Sequence, residues 1–154
     1  MVKVLVVYES KYGNTKRVAE EIINGIKVGD ADAFITEVKE VDLDMILDYD
    51  AILIGSPNHI GGPTRGIKGF IDKLGKIQLK GKTFAVFDTY LGNDFEKAVK
   101  KMEKQISEKI QGVKPITPGL SVKVKGIKGP IVEEELQKCV EFGKKLAIQL
   151  ESTR

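Results

Sequence analysis

Val2-Lys3-Val4-Leu5-Val6-Val7-Tyr8, continued by Glu9-Ser10-Lys11-Tyr12-Gly13-Asn14-Thr15, is the stretch that decides how this chain is read. The first seven residues form a valine-rich apolar run bounded by a polar, glycine-containing loop, the pattern of a strand buried on both faces. From Thr15 the period changes. Val18, Ala19, Ile22, Ile23 and Ile26 make one helical stripe, and Gly29 follows as a stop signal. The unit is strand, loop, helix, with the loop delivering the chain to a helix N-terminus.

The same alternation continues outward. Residues 33–38 read as a second strand and 43–49 as a short helical turn with Asp42 as its N-cap. A third strand spans 50–55, and a loop with Pro57, Gly61, Gly62 and Pro63 leads to a helix over 64–74. A fourth strand at 83–87 precedes a polar loop and a long helix over 93–110, stopped by Gly112. Pro115, Pro118 and Gly119 interrupt 113–125, which predicts a fifth strand broken into two short pieces. Leu136, Cys139, Val140, Gly143, Leu146, Ala147 and Leu150 then mark the buried face of a closing helix over 134–150. Strands alternating with helices imply an α/β fold with a parallel sheet covered on both sides. In such a sheet, ligands bind beyond the carboxyl ends of the strands. The loops after strands one, three and four are therefore where function is expected.

Bulk properties bound the rest. A chain of 154 residues, 42% hydrophobic, fits one domain over 1–154 with a sizeable core. Cys139 is the lone cysteine, so no internal disulfide forms, and no apolar run reaches the length of about 18 residues that a membrane span needs. The N-terminus reads directly into a strand, so no signal peptide is expected and the cytoplasm is the default location. Lysine and arginine number 25 against 22 acids, a net charge of +3 that is too small and too evenly spread to argue for nucleic acid. His59 is the only histidine; this excludes a histidine-built metal site and disfavours a catalytic triad.

The first loop has what a phosphate needs: N–H groups converging at a helix N-terminus, the hydroxyls of Ser10 and Thr15, the amide of Asn14, and steric room at Gly13. A plain strand-to-helix turn, with Asn14 or Thr15 as N-cap, is the competing reading of the loop alone. Other phosphate sites fail on missing residues. No Gly-Lys-Ser or Gly-Lys-Thr follows this strand, and only Gly13 stands where a dinucleotide fingerprint requires three glycines. A phosphate-accepting receiver domain would need acids at the ends of strands one and three; Glu9 supplies one, but the third strand ends in Gly55-Ser56.

Residues 8–15 resemble the FMN-phosphate loop of flavodoxins, most closely the version in the flavodoxin domain of flavodiiron proteins. Gly55-Ser56-Pro57-Asn58-His59-Ile60-Gly61-Gly62-Pro63 falls where that family has its second flavin loop, and Phe87-Asp88-Thr89-Tyr90-Leu91-Gly92 where it has its third. The closing helix is also similar, so the resemblance covers essentially the whole chain. It implies a three-layer α/β/α sandwich with five parallel strands in the order 2-1-3-4-5. It further implies FMN as cofactor: Ser10, Lys11, Tyr12, Gly13, Asn14 and Thr15 would wrap the phosphate. Pro57, Asn58, His59, Ile60 and Gly61, with Thr89, Tyr90, Leu91 and Gly92, would hold the ring. Tyr90 is the expected stacking residue, with His59 and Ile60 as candidates for the opposite face. A histidine near the flavin would change charge around neutral pH.

Two features depart from that family. The chain has no tryptophan to cover a flavin face, and it is slightly basic where flavodoxins are commonly acidic, with Lys11, Arg65, Lys68, Lys123, Lys125 and Lys128 near the predicted loops. Three functions compete. The first is a one-electron carrier between redox proteins, with no nucleic-acid or membrane partner, favoured by the short chain. The second is a flavodoxin-like NAD(P)H:quinone oxidoreductase, suggested by Gly61-Gly62 and the tryptophan-free site. The third, a flavin-free protein-binding module, conflicts with the intact Ser10, Gly13, Asn14 and Thr15.

Overall fold

A computed structural model describes residues 1–152; the last two residues of the domain expected over 1–154 lie outside the described residues. Strand β1 (Val2–Tyr8) is followed by α1 (Asn14–Val28), β2 (Ala31–Glu37), a 3-10 turn (Val38–Glu40) and the short α2 (Leu43–Ile46). Then come β3 (Ala51–Pro57), α3 (Arg65–Leu74), β4 (Thr83–Tyr90) and α4 (Lys97–Lys109). Two short strands, β5 (Lys114–Pro115) and β6 (Leu120–Lys123), precede α5 (Glu133–Ser152).

All named strands pair in parallel. The order is β2-β1-β3-β4, and β5 and β6 occupy the fifth place in turn, β5 beside the start of β4 and β6 beside its end. The sequence expectation of order 2-1-3-4-5 with a broken fifth strand therefore holds. Residues alternate faces as a doubly covered sheet requires. Val4, Val6, Leu53, Ala85 and Phe87 join α1 and α5 in one core, while Leu5, Val7, Ile52, Ile54, Phe84 and Val86 join α3 and α4 in the other.

Helices α1 and α5 touch backbone to backbone. A Cβ on Gly25 would lie 2.0 Å from the Val140 carbonyl oxygen, and one on Gly143 would lie 2.1 Å from that of Ile22. Only glycine permits that approach, and the contact fixes α1, whose N-terminus opens the first loop.

Three boundaries differ from the sequence reading where the site is built, the first being that β3 runs on to Pro57 instead of ending at 55. Strand β4 runs on to Tyr90, and α4 begins at Lys97 rather than near residue 93. The connection between them is a loop, and Phe95 belongs to it. The short helix stops at Ile46 instead of reaching 49, although Asp42 caps it as expected, accepting from the Asp44 N–H at 3.0 Å.

Candidate functional site

The three loops meet at the carboxyl ends of β1, β3 and β4, and each pair of them is tied by a side chain. Glu9 of the first loop accepts a short hydrogen bond from the Thr64 hydroxyl, which closes the second loop and caps α3. Thr15, buried in the first turn of α1, shares a 3.0 Å hydroxyl contact with Thr89 at the end of β4. Asn58 spans the second and third loops: its N–H and Nδ2 both donate to the Thr89 carbonyl, at 2.9 and 3.1 Å, and its Oδ1 accepts from the Ala98 N–H at 2.9 Å. The site is a triangle with a fastened edge on every side.

In the first loop, Gly13 is the N-cap of α1 with φ +92°, a left-handed conformation that side-chain-bearing residues adopt at a cost. Its N–H donates to Ser10 Oγ at 3.0 Å, so the Ser10 hydroxyl proton is left for another acceptor. No side chain caps α1 and no acid sits in its first turn, whereas α2 and α3 are capped by Asp42 and Thr64. The competing plain-turn reading, with Asn14 or Thr15 as N-cap, is not what the loop adopts. Asn14 instead turns its carboxamide toward Gly129, where an added Cβ would meet Oδ1 at 2.4 Å. Lys11 and Tyr12 are exposed, the ammonium 5.4 Å from the ring centroid. An uncapped helix start with spare N–H and O–H donors suits a dianionic phosphate, which only accepts hydrogen bonds.

The second loop is pinched at its neck. Buried Ser56 donates to the Pro57 carbonyl at 2.9 Å and accepts from the Thr64 N–H at 3.0 Å. At the tip the His59 N–H reaches the Gly62 carbonyl at 2.7 Å, across Ile60 (φ +53°) and Gly61 (φ +69°). Ile60 is 93% exposed and His59 is also exposed. Asn58 spends its side chain on fastening the loops, so only its backbone carbonyl remains to face a ligand.

In the third loop, Tyr90 is half-buried and packs edge-on against Phe95, with ring centroids 5.3 Å apart. Burial, then the charge of Glu135, pushes the Tyr90 phenol above its ordinary range, so it stays protonated. Leu91 and Gly92 are exposed. Behind this loop lies Asp88, fully buried, whose carboxylate accepts from Ser121 Oγ at 2.5 Å and from the Val99 N–H at 3.0 Å. Ser121 accepts in turn from the Glu96 N–H at 2.9 Å. Burial raises the Asp88 carboxyl to about 6, against the lowering effect of these hydrogen bonds and of Asn58.

Sequence reasoning missed Glu9 as a fastener, Asp88 as the anchor of α4, and Phe95 as the neighbour of Tyr90. The signal for Asp88 was present: an acid inside an otherwise apolar strand demands a buried partner.

The parallel sheet with chemistry-bearing loops at its carboxyl edge, an uncapped phosphate-type turn and an aromatic third loop define a flavodoxin-like nucleotide-binding protein. The family model described as the flavodoxin domain matches residues 5–121, and the chain belongs to that family. A flavodoxin from the domain Archaea superposes with a TM-score of 0.84 at 29% identity, covering 97% of this chain and 99% of that one. The flavodiiron core from Synechocystis superposes with a TM-score of 0.80 at 20% identity, over 99% of this chain and 37% of that one, a likeness of fold alone. Among curated proteins, one named NAD(P)H dehydrogenase (quinone) from Archaeoglobus fulgidus is 30% identical over 116 residues, 56% of this chain and 61% of that protein. The chain covers less than two thirds of the length of the curated relatives it matches. FMN is the cofactor this family implies, and the donors at the start of α1 fit its phosphate. No helix among the described residues is long and apolar enough to cross a membrane.

Proposed function

We propose that this chain is a flavodoxin, an FMN-dependent one-electron carrier between redox proteins, with residues 1–154 acting as one unit in the cytoplasm. The observation that carries this reading is the uncapped, acid-free start of α1, joined to the other two loops by Thr15–Thr89 and Glu9–Thr64. FMN, when bound, supplies the ability to take up and pass on single electrons. The chain's own part is positional. Ser10, Lys11, Tyr12, Gly13, Asn14 and Thr15 hold the phosphate with main-chain and hydroxyl donors. Pro57, Asn58, His59, Ile60 and Gly61 offer backbone groups to the polar ring edge and an apolar tip to one face. Thr89, Tyr90, Leu91 and Gly92 supply the other wall, with the Tyr90 ring steadied by Phe95. An aromatic wall and exposed aliphatic tips cover a flat ring without tryptophan.

A second reading, NAD(P)H:quinone oxidoreductase, draws on the relatives of that name at 30–33% identity. Anaerobic reductive titration of the purified, FMN-saturated protein separates the two. Two resolved one-electron steps, with no steady NAD(P)H consumption when a quinone is added, are expected. Failure to bind FMN at micromolar concentration removes both readings, and sustained turnover with quinone promotes the second.

A further inference from the structure

Around the three loops the chain exposes apolar side chains that folding does not require. Ile60 is 93% exposed, Ile127 73% and Phe95 55%. Ile127 stands on the turn closed by the Gly129 N–H to Gly126 carbonyl bond at 2.9 Å, above the Val124–Ile131 bridge, and Gly129 rests on Asn14 of the first loop. This tip therefore borders the site. Ile127 and Phe95 are the two left for a partner, because the Ile60 tip is the one assigned to a flavin face, and Ile60 is the strained position, at φ +53°. A β-branched residue in the left-handed region costs about 1–2 kcal/mol, and its solvent-facing side chain returns nothing to the fold.

The charges between these tips are unbalanced. Lys97 and Lys101 lay their aliphatic stems against the second loop, with side-chain carbons 3.5 and 3.3 Å from the Cβ positions of Gly61 and Gly62. Lys97 pairs with Asp94 at 3.2 Å. Among the described residues, no carboxylate lies within ion-pair distance of Lys101, Lys11, Arg65 or Lys128. Of the rim acids, Asp94 pairs with Lys97 and Glu96 with Lys100 at 3.9 Å, while Glu9 keeps its charge as it accepts from the Thr64 hydroxyl, one carboxylate against those four cations. Glu133 and Glu134, which open α5, complement the N-terminus of their own helix.

Building on the electron-carrier reading, we infer that this rim docks an acidic electron-transfer protein. Separated apolar tips in a ring of unpaired cations make a small, polar-rimmed interface. Such a surface steers an oppositely charged partner to a site that must bind and release it quickly. The tips sit on three different loops and form no continuous stripe of the kind that inserts into a bilayer.

The test uses FMN-loaded, nitrogen-15-labelled protein, followed by NMR as oxidised plant-type ferredoxin, an acidic carrier, is added. Basic cytochrome c, phosphatidylglycerol vesicles and a DNA duplex are the competing probes. Ferredoxin is expected to shift amides of residues 11–13, 59–62, 91–97 and 126–129. Its affinity is expected to fall about tenfold between about 20 and about 200 mM salt. Lys101→Glu and Lys128→Glu should each weaken it about threefold or more, while Lys76→Glu, beyond the far end of α3, should not. Ile127→Ser should weaken binding without changing the salt slope. Tighter binding of cytochrome c, displacement of ferredoxin by vesicles or DNA, or unshifted rim amides at millimolar ferredoxin overturns the inference. Flavin absorbance of the same samples separates causes, since protein that fails to load with FMN overturns the carrier reading instead.

Discussion

Asp88 is a carboxyl group in a place that penalises its charge, and this makes its ionisation visible in stability. Its ordinary value is 3.8 and burial raises it to about 6 in the folded chain. The folded state therefore holds this proton more tightly than the unfolded state does. Below about 4 both states are protonated; as pH rises toward 6 the unfolded chain releases the proton first, and folding loses stability. The full effect is on the order of 2–3 kcal/mol, complete above the folded value. Asparagine fits the same pocket, accepting from the Val99 N–H and donating to Ser121. Urea unfolding from about pH 4 to about pH 7 should show this decline in the native chain and its absence in Asp88→Asn; parallel profiles would refute the assignment. The first loop was legible at this scale because Ser10, Gly13 and Thr15 advertise donors and a positive φ through residue type alone. The fastening roles of Glu9 and Asn58 were not, and Asp88 signalled only that it needed a buried partner, because Thr64, Thr89, Ala98 and Ser121 lie far away in sequence and meet them only in the folded sheet.

At the level of elements, apolar runs, helical stripes and turn signals located the strands and the α-helices but not the 3-10 turn at Val38–Glu40, and the failures have local causes. Phe95, Ala98, Val99, Met102 and Ile106 keep helical spacing, so the stripe extended α4 backward by four residues. The real start is set elsewhere: Glu96 sits at φ +60°, and Asp88 and Asn58 seize the N–H groups of Val99 and Ala98. The α5 stripe likewise hid Glu135, buried because its carboxylate accepts from the Lys123 N–H at 3.1 Å and pairs with Lys138 at 2.6 Å. Gly143 read as one more small residue on a buried face, yet it is where α5 meets the α1 backbone. Gly143→Val should destabilise the chain by about 2–4 kcal/mol, since overpacking against main chain cannot relax by a rotamer change. An unchanged urea midpoint would contradict the close helix contact.

For the whole molecule, architecture and function are coupled through ligand linkage. A ligand that binds only the folded chain stabilises it by about 2.7 kcal/mol when present at about a hundred times its dissociation constant. For a chain of this size that is a rise of about 5–10 °C in melting temperature. Saturating FMN should produce such a rise by thermal scanning, while riboflavin, lacking the phosphate, should give a much smaller one if the start of α1 carries the affinity. Equal shifts would locate the affinity in the ring contacts. The sheet's divided border has a separate outcome. One half of the margin is a segment of two residues, a charged lysine and a proline with no N–H to donate, and the other half, Leu120–Lys123, has its end covered where the Val132 N–H takes the Lys123 carbonyl, so an extended stranger finds little to zip onto. The break that looked like an irregularity guards this flank against fibrous self-association.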